Sequence, residues 1–172
     1  MTHQRNLTLE SFLSRVRDEL DRSDWVELKD FPERPLLVMF KRPSGLDRSL
    51  VVMAFFKGDD LSTEEFRGIS NRILEALGEM PAPPVVIPSS VGVLGPRVGI
   101  PVFVFEESFR EEARLEQLLS EGKASDPLMQ IYVVPWIVDL AKRTLMKHRG
   151  APIVASGEQE IQSALAVEQD KS

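Results

Sequence analysis

The chain has 172 residues, of which 42% are hydrophobic and 28% charged, enough apolar material for one ordinary core but not for two sizeable ones. It holds no cysteine, which excludes disulfides, thiolate metal ligands, a cysteine nucleophile and dithiol chemistry. A net charge of −6 disfavours nucleic acid as a partner, because duplex-binding surfaces gather Lys and Arg to neutralise phosphates.

The longest apolar runs, Leu36 to Phe40, Leu50 to Phe56 and Ile131 to Leu140, fall short of the roughly 20 residues that cross a bilayer. The first residues carry charge and lack the apolar stretch of a secretory leader. The expectation is a cytoplasmic single domain over 1–172 without a membrane segment. Its ends, 1–7 and 168–172, are expected to fray.

Leu9, Phe12, Leu13, Val16 and Leu20 recur at helical spacing behind a Thr8 N-cap and predict the first helix. Three strands follow: Trp25 to Lys29, which alternates, then Leu36 to Lys41 and Leu50 to Lys57. The last two flank a Pro43–Asp47 turn. Ser62 with Glu65 forms a capping box for a second helix, whose inner stripe is Phe66, Ile69, Ile73, Leu74 and Leu77.

Residues 81–101 mix six prolines with Gly92, Gly95 and Gly99, and read as a long irregular connection inside the domain, with a short strand at Val85–Ile87. Ile100 to Phe105 reads as a strand. Ser108 and Glu111 repeat the capping box before a third helix that Gly122 closes. Gln130 to Leu140 and Arg143 to Arg149 read as a hairpin turning at Leu140–Arg143. A last helix begins at Ser156. The fold class that follows is α+β: a mixed, largely antiparallel sheet with helices packed on it, in the order helix-βββ-helix-β(β)-helix-ββ-helix.

No nucleotide-binding glycine motif, serine elbow or histidine-based metal set is present, so no catalytic residue, metal ligand or cofactor is assigned. His3 and His148 are the only histidines. His148 and Asp139 invite an acid–base reading. The expected hairpin register pairs Asp139 with Thr144, which leaves His148 four residues along the ribbon, about 13 Å away. A turn-capping role for Asp139 is expected instead.

The order of residues 9–106 resembles the core of restriction-endonuclease-like nucleases. That family places an acidic residue and a Glu-x-Lys on consecutive strands to hold a divalent metal. Here Lys57 closes the third strand, but Phe55 stands two residues before it. From Leu50 onward the order also resembles the thioredoxin-like arrangement, with Pro135 ahead of a hairpin and without that family's cysteines.

The most unusual segment is Tyr132-Val133-Val134-Pro135-Trp136-Ile137-Val138-Asp139. A proline cannot donate to a sheet ladder, so an edge strand or a bulge is expected there; the favoured reading of Trp136 is a core tryptophan beside a structural proline, and the alternative is an edge strand that displays it to a second chain. Pro135, Trp136, Asp139, His148 and Arg149 are the interaction candidates. The functional expectation is a non-enzymatic interaction, assembly or accessory module with a protein partner or self-association. The alternative is a ligand binder or divalent-metal hydrolase whose site uses the 88–101 loop.

Overall fold

The computed structural model describes residues 6–43, 49–81, 84–87, 90–107, 112–147 and 157–166. Among these residues four helices and ten strands follow one another: α1 (Leu9–Arg22), β1 (Val26–Glu27), β2 (Leu37–Lys41), β3 (Leu50–Lys57), α2 (Thr63–Glu79), β4 (Pro84–Ile87), β5 (Ser90–Leu94), β6 (Arg97–Phe105), α3 (Glu112–Glu121), β7 (Ala124–Asp126), β8 (Ile131–Val133), β9 (Trp136–Asp139), β10 (Thr144–Lys147) and α4 (Glu158–Leu165). The class and order expected from the sequence are those observed. β5 and β7 are additions, and the single strand expected over Gln130 to Leu140 is divided into β8 and β9 on either side of Val134 and Pro135.

Eight strands form one mixed sheet in the order β1-β2-β3-β6, followed by β8 and β9 end to end against β6, with β7 outside β8 and β10 outside β9. β1, β2 and β3 are antiparallel neighbours. β3, β6 and the β8–β9 line run parallel. Both crossovers, through α2 and α3, pack on the same face of the sheet.

The strands at the centre alternate between two cores, as a doubly covered sheet requires. Val51, Met53 and Phe55 of β3 join Phe12, Val16 and Leu20 of α1 and Ile161 of α4 on one side. Val52, Ala54 and Phe56 join Phe66, Ile73 and Leu77 of α2 and Leu118 of α3 on the other. A Cβ placed on Gly99 would stand 2.7 Å from Ile73 Cγ2 and 2.8 Å from Leu77 Cδ1, so the bare glycine lets α2 lie directly on β6.

Part of the expected irregular connection is therefore core. Residues 97–101 belong to β6 and are buried, while Pro88 and Ser89 lie outside the described residues. α1 and α2 are capped as expected, by Thr8 on Ser11 N and Ser62 on Glu65 N. The cap of α4 is Gly157 in the left-handed region rather than Ser156. The expected capping box at 108–111 and most of the expected Pro43–Asp47 turn fall outside the described residues, as do the outermost ends.

Candidate functional site

Trp136 is not on an edge. β9 pairs with β6 on one side and with β10 on the other, and the Trp136 side chain is 2% exposed within the α1/α4 core. Pro135 is buried as well. The proline is tolerated because two missing donors coincide with two gaps in the ladder. Val134 N donates to Gly99 O at 2.9 Å, and in a parallel ladder the reciprocal donor would be residue 101, also a proline. Pro135 itself faces outward, where β7 has ended opposite Val133 and β10 begins opposite Trp136.

The hairpin register is the one expected, Asp139 opposite Thr144. Asp139 is 4% exposed, and its Oδ1 accepts from Lys142 N at 2.9 Å, which caps the β9–β10 turn. Lys147 lies 5.7 Å from the Trp136 ring centroid and pairs with Glu158 of α4. His148 and Arg149 lie outside the described residues. Of the five expected interaction residues, the three described ones are thus structural in their contacts.

A different segment carries the features of a site. Between β1 and β2 the chain runs through Phe31-Pro32-Glu33-Arg34-Pro35-Leu36, and Glu33 and Arg34 both take positive φ, 73° and 46°. Left-handed backbone costs a non-glycine residue roughly 1 kcal/mol or more, so two in succession need outside support. Leu28 N donates to Val38 O and Leu36 N to Phe55 O, fixing the two ends of the loop to the sheet. Glu33 Oε2 accepts from Arg72 Nη1 of α2 at 2.6 Å, fixing its middle.

The loop is a rib between two clefts. One, of about 500 Å³, lies along Glu27 to Val38 itself, with Lys29, Asp30 and Phe31 in its wall. The other, of about 580 Å³, opens between the loop, the end of β3 and the first turns of α2. Its apolar side is Leu36, Phe56, Leu61 and Ile69, with Leu36 47% exposed. Arg34 borders both clefts and makes no ion pair with any described residue. Both clefts sit at the carboxyl end of β3, the end at which open parallel sheets commonly bind their ligands.

The polar groups around the larger cleft are mostly committed. Lys57 Nζ is 3.9 Å from Asp60 Oδ2, Arg72 holds Glu33, and Ser62 caps α2. Asp59, just beyond β3, accepts from Glu106 N and Glu107 N at 3.2–3.4 Å and ties the ends of β3 and β6 together. The nuclease pattern is not rebuilt in space. Phe55 is fully buried, and its partner on β2 is Leu37. Among the described residues no group of three His, Asp or Glu could hold a metal ion. The arrangement offers an apolar floor, a rim of mixed charge and one uncommitted guanidinium, which is chemistry for binding.

The sequence offered one signal for this loop, the prolines at 32 and 35 bracketing two charged residues. Its positive φ values carry no signature of their own, since Glu and Arg are not residues that favour that region. No described helix is long and apolar enough to cross a membrane. No protein family, curated protein or solved structure matches the chain.

Proposed function

We propose that the chain is a non-enzymatic interaction or accessory module that grips a protein partner in the cleft between the β1–β2 loop, the end of β3 and α2. The observation that carries this reading is the strained Glu33–Arg34 rib, held on three sides, with Leu36 exposed above an apolar floor. Strain of this kind persists where the surroundings over-determine it, and such places cluster at binding and switch sites. A rigid rib also lowers the ordering cost of binding.

The reading differs from a sheet-edge mode centred on Trp136, because that side chain is buried by α1, α4 and β10. It differs from a hydrolase because the one hydroxyl in the described cleft wall beside a carboxylate, Ser62, which donates to Glu65 Oε1 at 3.2 Å and accepts from Glu65 N, is used as the cap of α2.

Affinity capture with immobilised wild-type chain, Leu36→Asp and Arg34→Glu tests it. Both substitutions are expected to remove the partners that wild type retains while leaving the melting temperature within a few degrees. Capture that is unchanged in both variants would count against the cleft.

A further inference from the structure

Gly58, Gly99, Gly122 and Gly157 each stand where a Cβ would come within 2.5–2.9 Å of a neighbouring atom, so packing accounts for their missing side chains. Gly68 has no such reason. It lies well inside α2, yet a Cβ built on it meets no described atom within 4 Å. After proline, glycine is the residue least suited to a helix interior, because it frees the unfolded backbone and adds no side chain. Alanine would fit the same backbone and favour the fold.

The position is also half-buried, with open space in front of it. Shielded flanks around an empty front describe a notch, and this one lies in the wall of the larger cleft. Glu64 and Arg72 stand about one helical turn to either side, on the same face of α2, and line the cleft with it. Arg72 is fixed by its ion pair with Glu33 of the rib. Leu61 and Ile69 join the notch to the apolar surface that Leu36 and Phe56 complete.

We propose that Gly68 is the specificity-determining residue of this cleft, and that it admits the main chain of a short linear segment of the partner. The inference rests on the cleft reading above and names the form in which that partner binds. Glycine is used where a second backbone must come close, since a Cβ would hold that backbone off. A peptide group, neutral and dipolar, suits a gap between the Glu64 carboxylate and the Arg72 guanidinium. A cleft of about 580 Å³ takes a segment of a few residues, with an apolar side chain on the floor and its backbone crossing α2 at Gly68.

A phage-displayed library of short random linear peptides, panned on the wild-type chain and depleted on Leu36→Asp, supplies the probe. Arg34→Glu replaces Leu36→Asp if the latter melts early. The enriched peptide is titrated by calorimetry into wild type, Gly68→Ala and Gly68→Gln. Gly68→Ala is expected to raise the melting temperature by roughly 2–4 °C, as an exposed helix gains from alanine, while weakening the peptide about tenfold in Kd. Gly68→Gln, also a good helix former, should weaken it further. A tighter fold with weaker binding is an outcome that a merely structural glycine would not give.

A lowered melting temperature in Gly68→Ala would mean that the fold itself needs the glycine, and would overturn the proposal. So would an unchanged Kd in Gly68→Gln, with the cleft reading left standing by the loss of the peptide on Leu36→Asp. If no peptide is enriched while Leu36→Asp still abolishes capture of a protein, the linear segment fails and the cleft stands. If neither Leu36→Asp nor Arg34→Glu alters capture, the cleft fails and this inference with it.

Discussion

Residues 131–140 and residues 28–36 share ingredients, since each combines proline with aromatic and aliphatic side chains, yet the fold uses them in opposite ways. The first lies inside the sheet, with β6 on one side and β7 and β10 on the other, and its Trp136 and Pro135 are buried. The second lies outside the ladder as a strained loop with clefts on both sides. A proline therefore marks a place where a donor is missing, and the neighbours decide whether that place is an edge or a seam between two partners.

The contrast is sharpest at Trp136. Trp136→Ala should destabilise the chain by about 3–5 kcal/mol in urea unfolding, the usual cost of truncating a large buried aromatic. A cost below about 1 kcal/mol would return Trp136 to the list of surface residues.

Arg97 gives the next largest effect. Arg97→Met keeps the stem but leaves the carbonyls of Leu77, Met80 and Met129 without a charged donor. A loss of roughly 2–3 kcal/mol is expected, with faster amide exchange in the 127–130 turn. If the turn exchanged as in wild type, the buried arginine would not be what holds it.

At Arg34 the sign should reverse. Arg34→Gly relieves left-handed strain but loosens the unfolded chain, so stability should be unchanged or raised by about 0.5 kcal/mol while partner capture falls. A stability loss above about 1 kcal/mol would mean that the loop is structural and not strained for a purpose.

The smallest effect lies between α2 and α3. The amide of Gln117, donating to Oε1 at 3.0 Å, holds the Glu121 carboxyl below its usual range, against burial and with help from Arg67. A depressed carboxylate contributes stability above its unfolded value, and that contribution fades as pH falls through the lowered folded value. Gln117→Ala should move the Glu121 titration up in a carboxyl NMR experiment and shrink the acid-dependent part of stability. An unmoved titration would assign the shift to Arg67.

Much of the architecture was legible because periodicity reports burial directly. α1 and α2 announced themselves by their stripes and caps, and β3 by being apolar on both faces. The Asp139–Thr144 register followed from the length of the turn. What was hidden is tertiary. The strand after Val134, expected to pair with the β10 segment, reads as an edge until β6 is found on its other side, and residues 97–99 read as loop until Gly99 is seen under α2. The cleft was hidden for a related reason: Glu33 and Arg34 take a conformation that their side chains do not advertise.

A photo-crosslinking side chain placed at Leu36 in one preparation and at Lys147, over Trp136, in another asks most directly which region meets a partner. Adducts from position 36 and none from 147 are the result expected, whether the partner is another protein or a second copy. Adducts from 147 with none from 36 would contradict the assignment of the interaction surface to the β1–β2 cleft.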